Sequence, residues 1–430
     1  MIIPLQYLSL KKGDKKMRRM TVIFLILFQT SFQNCGNPGT SPSGDNRILT
    51  EIEKEITANS NSFGFELFRE SLENSAEINV VLSPFSVSMA LGMTLNGASG
   101  KTFDDMKTTL GFTNLTSDEI NQSYRSLIDR LRMIDNSVDF RIANSIWCRE
   151  GFPVLDTFIT TNTNYFDALI QSLDFSRSDA ADIINAWVNE NTNEKIPQIV
   201  EPPIDATTIM FLINAIYFNG SWTYEFNPDL TQTAPFYISS SEQIDCQLMN
   251  YKCEHLYYED NTCQVVDLPY GAGNYRMLVI LPERNIDIDS FISEIDQTVW
   301  NTWLDDLQKT EMNLYLPKFK VEYKKKLNDV LSQLGMSVAF NPVQADFSRI
   351  NPDVRLYISK VMHKTFIDVS EEGTEAAAVT SVEICFTSTG GGGESIPTMR
   401  VDHPFIFAIH EIDTGAILFL GKISKPEYPE

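Results

Sequence analysis

Histidine is scarce in this chain. Its 430 residues hold four, His255, His363, His403 and His410. His410-Glu411 opens like a zinc-protease HExxH motif, but Thr414 stands where the second histidine must be. No Gly-x-Ser-x-Gly elbow occurs, which removes the usual signature of a hydrolase nucleophile. The six cysteines contain no CxxC pair and no zinc-type spacing. Gly97-Ala98-Ser99-Gly100-Lys101-Thr102 ends like a phosphate loop, yet Leu95 occupies the place of its first glycine. Carboxylates abound, but abundance in an acidic chain points to no particular pair. Together these absences predict no catalytic centre, no metal and no cofactor. Cations are also few: 34 lysines and arginines face 57 acids, a net charge of −23. That balance argues against nucleic acid and anionic membranes as partners, and fits a solvated acidic surface.

Long apolar runs are missing as well. Residues 20–28 are apolar but too short to span a bilayer. Behind the basic Met17-Arg18-Arg19 they fit a secretory signal, so residues 1–34 are expected to be a leader, with Met17 as an alternative start. Cys35 sits where a bacterial lipoprotein signal places its lipid-accepting cysteine. Ser31-Phe32-Gln33-Asn34 before it resembles the relaxed motif of spirochaetes rather than the small-residue one. The chain is therefore expected to be exported, and either secreted or lipid-anchored at the cell surface. Without the leader, 28 basic and 56 acidic residues remain, near −28. Gly36 to Gly44 has the composition of a flexible linker, and residues 35–50 read as a tether. Among Cys148, Cys246, Cys253, Cys263 and Cys385, mostly free or buried thiols are expected, with one pair open among Cys246, Cys253 and Cys263.

What is present is a globular chain, 43% hydrophobic and without internal repeats. Residues 52–72 and 117–133 have helical patterns, as do 181–191, where Ile183, Ile184, Trp187 and Val188 share a face. Residues 139–147 read as a strand. Residues 210–222 are almost continuously apolar, as a strand buried on both faces would be. Asn214 is the lone polar residue inside that apolar part and needs a partner. Residues 264–271 and 277–282 read as paired strands. Residues 327–334 read as a helix stopped by Gly335. Residues 405–423 read as a hairpin turning at Asp413-Thr414-Gly415.

The stretch from Glu371 to Pro404 stands apart. It begins Glu371-Glu372-Gly373-Thr374-Glu375-Ala376-Ala377-Ala378 and runs through four glycines, Gly390 to Gly393. Thr374, Ala376, Ala378, Thr380, Val382, Ile384 and Phe386 share one parity, so all can face a core if the segment becomes a strand. A strand-like run, residues 356–369, precedes it, and Asp402-His403-Pro404-Phe405 comes after it. The Glu-Glu-Gly-Thr-Glu-Ala-Ala-Ala hinge and the Asp-His-Pro-Phe box together resemble the serpins. Ser83-Pro84-Phe85-Ser86, the 210–222 block and Leu314-Tyr315-Leu316-Pro317-Lys318-Phe319 extend the resemblance over residues 56–426.

The resemblance implies an α+β fold: one large serpin domain over residues 51–430, with three β-sheets, surrounding helices and an exposed reactive loop. It implies a suicide-substrate inhibitor of a serine protease and not an enzyme. The protease attacks the loop, and the cleaved loop then enters the main sheet, a mode known for this family. Counting from Glu371 by the family's spacing puts the reactive bond at Thr387-Ser388. That suits an elastase-like target, and Phe386 keeps a chymotrypsin-like one open. The hinge is Glu371 to Ala378. Ser83, Ser86, Asn214 and His363 match the family's shutter beneath the opening strands, with His363 as the partner of Asn214. Trp222, Lys318 and Glu371 match the breach where the loop first enters. Taken as residue types alone, Ser83 and Ser86 read as a helix cap and a core serine, and Trp222 as a large core aromatic. The acidic charge predicts no polyanion cofactor, because Arg125, Arg130 and Arg132 are diluted by acids. The protein is expected to be a monomer with a liability to polymerise. The rivals are a non-inhibitory serpin acting as a surface binding protein, and a structural surface lipoprotein. An inert loop carries bulky, charged or proline residues at the inward parity; Thr374, Ala376 and Ala378 are none of these.

Overall fold

The computed structural model describes residues 47–73, 77–206, 208, 210–375 and 396–429, without the side chains of Leu212 and Asn214. The leader, most of the tether, Cys35, Ala376, Ala377, Ala378, Thr387 and Ser388 lie outside the described residues.

Two sheets organise the described chain. The six-stranded one runs, in spatial order, through Phe319–Lys326, Lys360–Val369, Gly373–Thr374, Met210–Ser221, Val138–Arg149 and Leu169–Leu173. Its two central long strands are parallel. They pair directly only from Lys360 to Lys364, against Phe211 to Ala215. Further along, the two-residue strand Gly373–Thr374 sits between them, antiparallel to both, with Val369 opposite Thr374 and Thr374 opposite Gly220. The nine-stranded sheet is divided by its longest strand, Gln243–Glu259. One end of that strand pairs with Gln232–Tyr237 and the other with Cys263–Tyr270, and Gln308–Pro317 runs along its length. This division yields the three-sheet arrangement.

An aromatic cluster joins the two sheets. Phe218 meets Tyr270, Tyr275 and Phe419 at ring distances of 5.0, 5.6 and 6.4 Å. Beside it lies the helix Pro84–Leu95, buried at all twelve positions. Pro84 starts it because a fixed φ and a missing N–H cost nothing at the first turn, and an all-round apolar surface commits it to the core. Of its buried hydroxyls, Thr94 donates to Ala90 O at 2.9 Å, and Ser88 is satisfied in a chain: Ser60 Oγ lies 2.9 Å from Ser88 Oγ, which lies 2.6 Å from Tyr124 OH. The helix Glu51–Leu72 opens on a capping box of Thr50 and Glu53.

Two sequence expectations are corrected. The helix expected over 327–334 is α-helical only over Asn328–Leu331; it then widens, and Gly335 takes φ +114° before the short 3₁₀ turn Ser337–Phe340. No pair forms among Cys246, Cys253 and Cys263, since Cys246 and Cys263 are free. Cys246 and Cys253 lie on one strand, about 23 Å apart at ~3.3 Å per residue, whereas a disulfide needs α-carbons within ~7 Å. Burial pushes the free thiols of Cys148 and Cys263 up to about 12 and Cys246 to about 11, so they are inert.

Candidate functional site

The hinge is a tight hairpin hung from the end of Lys360–Val369. Ser370 N–H donates to Gly373 O at 2.9 Å and Gly373 N–H returns to Ser370 O at 3.3 Å. Gly373 is obligatory here. Its φ is +150°, and a Cβ on it would lie 2.2 Å from Gly220 O. The turn between carries Glu371 and Glu372, and Met210–Ser221 ends directly beneath it. Trp222 grips it twice, its backbone N–H donating to Glu372 O at 2.9 Å and its indole N–H to Ser370 O at 2.9 Å, while its ring stacks on Tyr270 at 4.3 Å.

Glu371 and Lys318 form an ion pair of 2.8 Å. The pair is not a surface one, since Glu371 is only 8% exposed. Thr231 Oγ1 donates to the same carboxylate at 2.8 Å, and the Lys318 ammonium lies 4.2 Å from the Tyr428 ring centre. Burial works to raise the Glu371 carboxyl, but Lys318, the backbone and Thr231 hold it below the ordinary carboxylate range.

Thr374 is fully buried, with Oγ1 2.5 Å from Tyr270 OH. Sequence reasoning has this side chain enter the sheet only on insertion; the uncleaved chain already holds it there. The strand ends at Thr374, before Glu375, whose backbone N–H donates to Asp368 O at 2.7 Å but whose φ is +54°. Its carboxylate lies 2.5 Å from Lys195 Nζ, in a cleft of about 260 Å³. Burial raises the Glu375 carboxyl to about 7 against the pull of Lys195.

Deeper in the sheet, His363 is fully buried and its Nε2 accepts a 3.1 Å hydrogen bond from Ser83 N–H. Thr365 Oγ1 donates to Val81 O at 2.7 Å. Ser83 and Ser86 are both fully buried beneath these strands. Asn214 stands opposite His363 in the register, but its side chain lies outside the described residues. With Nε2 an acceptor, the imidazole is neutral with its proton on Nδ1. Burial holds His363 down to about 3 and His255 to about 4. An unfolded histidine takes its proton near 6.5, so the unfolded chain binds more protons below that pH. The stability these two groups contribute is present above about 6.5 and lost as pH falls toward 3. His363→Ala is expected to cost about 2 kcal/mol by orphaning the Ser83 N–H. It should also make the acid slope shallower, by the loss of one of the two titrations. Denaturant midpoints across pH 4–8 measure both, and an unchanged slope counts against the assignment.

The arginines of the helix Ser117–Met133 are all engaged. Arg125 meets Asp129 at 2.8 Å and Asp167 at 2.5 Å, Arg130 meets Asp413 at 3.0 Å, and Arg132 also binds Asp167.

Comparison with known proteins gives this geometry a family. Residues 58–426 match the family described as Serpin (serine protease inhibitor). The chain is a serpin. It is 35% identical over 384 residues to an uncharacterized serpin-like protein of Methanosarcina acetivorans, covering 87% of this chain and 89% of that one. It is 33% identical to the leukocyte elastase inhibitor of Xenopus laevis, covering 85% and 97%. The structure of human thyroxine-binding globulin complexed with thyroxine superposes with a TM-score of 0.80 at 28% identity, over 88% of this serpin and all of that chain. The family thus holds an elastase inhibitor and a thyroxine-binding globulin on one fold. Tyr270, Thr231, Lys195 and Tyr428 of this serpin were missed by sequence reasoning. Each is an ordinary strand or loop residue whose partner is distant in sequence, and no local signal marks it.

Proposed function

We propose that this serpin is a suicide-substrate inhibitor of a serine protease with an elastase-like or chymotrypsin-like pocket. The observation that carries the reading is the seated hinge: Gly373 and Thr374 are bonded to both central strands at the end where those strands no longer pair with each other. A strand that has begun between them needs only to lengthen. The protease serine attacks the Thr387 carbonyl, the amine of Ser388 leaves, and an acyl-enzyme remains on Thr387. The freed loop then lengthens the strand. About fifteen residues at ~3.3 Å give roughly 50 Å of new ladder, which carries the bound protease with it before water completes hydrolysis. The acidic balance and the engaged arginines support inhibition without a polyanion cofactor. The leader and Cys35 support export and a surface anchor.

Incubation with a panel of serine proteases, read by denaturing electrophoresis, tests the reading. A covalent complex with an elastase or chymotrypsin is expected. Cleavage without any complex moves the binding-protein reading ahead. Mass spectrometry of the released C-terminal peptide should find a start at Ser388, or a few residues later because of the glycine run. A start at Arg400 or beyond discards this reactive bond.

A further inference from the structure

The hinge does not stop at Thr374 for want of hydrogen bonds. Glu375 N–H already donates to Asp368 O at 2.7 Å. The chain turns aside because Glu375 adopts φ +54°, a left-handed backbone that a glutamate rarely takes. The side chain so directed is buried, 8% exposed, against the ammonium of Lys195. Lys195 does not belong to the sheet. It lies just beyond the helix Ala180–Asn191, on a segment turned by two further left-handed residues, Asn193 and Glu194. That segment is tied down beside the hinge: Asn193 Nδ2 donates to Tyr217 OH at 3.1 Å, and the Lys195 ammonium lies 5.8 Å from the centre of the Phe366 ring.

Continuing the strand means bringing Glu375 to an extended φ. With Val369 opposite Thr374 in an antiparallel pair, an extended Glu375 stands directly opposite Asp368. Like charges in that position oppose each other. Lys320, the cation across the strand, is already committed to Asp368 at 3.1 Å. The left-handed conformer instead gives the carboxylate a cation of its own.

We propose that Lys195 and Glu375 form a clasp that halts the loop after its first two inserted residues and so sets how readily the strand lengthens. The clasp rests on the insertion reading of function. It adds that the brake is an ion pair to a segment outside the sheet. Lys195 is here a positioning residue and never touches the protease.

The test needs no protease. Lys195→Met keeps the length and the apolar stem of the side chain but removes the charge, and with it the cation facing Phe366. On mild heating the variant should pass to a loop-inserted form on the order of tenfold faster than the wild type, the scale of one charge-assisted hydrogen bond. Conversion is read as a loop that resists a general protease, together with a raised melting temperature. Lys195→Arg should behave as the wild type. Glu375→Gln should accelerate conversion like Lys195→Met, and the double variant should be no faster than either single one, because both remove the same contact. Rates for Lys195→Met within twofold of the wild type overturn the clasp, as does a pair of variants that fail to convert below their unfolding temperature. The protease panel is a separate measurement. A wild type that forms covalent complexes while Lys195→Met converts at the wild-type rate removes the clasp alone. A wild type that forms none, whatever Lys195→Met does, removes the inhibitor reading.

Discussion

Thr374→Arg is expected to turn the protein from an inhibitor into a substrate. In the uncleaved chain Thr374 is fully buried, its hydroxyl shared with Tyr270, which is itself stacked on Trp222. The site admits a small side chain with one polar atom. A guanidinium there would lie among aromatic rings, and burying a charge without a partner costs several kcal/mol even after relaxation. The variant hinge leaves the sheet, and the first step of insertion becomes the hardest. Attack at Thr387, a dozen residues along the loop by the family's count, is unaffected. Deacylation by water then wins the race. The measurements are the covalent complex, which should vanish, and the cleavage site, which should not move. Loop cleavage should raise the melting temperature of the wild type more than that of the variant. Thr374→Ser, which keeps the hydroxyl, should retain trapping. If Thr374→Arg traps protease with wild-type stoichiometry, insertion is not how this protein works.

The second large effect is expected from Glu371→Lys. An exposed ion pair such as Glu371 and Lys318 would contribute ~0–1 kcal/mol. The structure removes that ceiling. Both side chains are mostly buried, at 10% and 17% exposure, and Thr231 adds a second bond to the carboxylate. Breaking such a pair costs on the order of 3 kcal/mol, and a lysine at 371 adds a cation against a cation. The hairpin that seats Gly373 and Thr374 hangs on this contact, so the variant is expected to melt several degrees lower. It should also yield more polymer on expression, as the loosened end of the sheet accepts a loop from another molecule. Size-exclusion profiles and melting curves measure both. The charge swap Glu371→Lys with Lys318→Glu should recover part of the loss. Wild-type monomer yield and stability in the single variant would refute the latch.

The sequence by itself determined whatever depends on neighbours along the chain. Pro84 after Ser83 starts the buried helix, Thr50 and Glu53 cap the first one, and the apolar run of 210–218, broken only by Asn214, makes a strand covered on both faces. The hinge and the Asp-His-Pro-Phe box were legible as motifs because their residue types occur in fixed order. Gly335 was legible as a break but not as a passage into a wider turn, since a glycine marks where a helix can change and leaves the geometry of the next turn open. Only the tertiary structure decided how far the hinge is seated and what holds it there. Thr374 and Tyr270 are 104 residues apart, and Glu371 and Thr231 are 140 apart. Neither pairing leaves a local periodicity or spacing to read. Burial is decided at the same level. A glutamate beside a lysine is a weak surface pair or a strong latch according to the water left around it, and that depends on Trp222, Tyr428 and the strands that close over the site. The halt at Glu375 is of the same kind: its left-handed backbone is held by a lysine on a distant segment, and nothing in the residues around position 375 announces it.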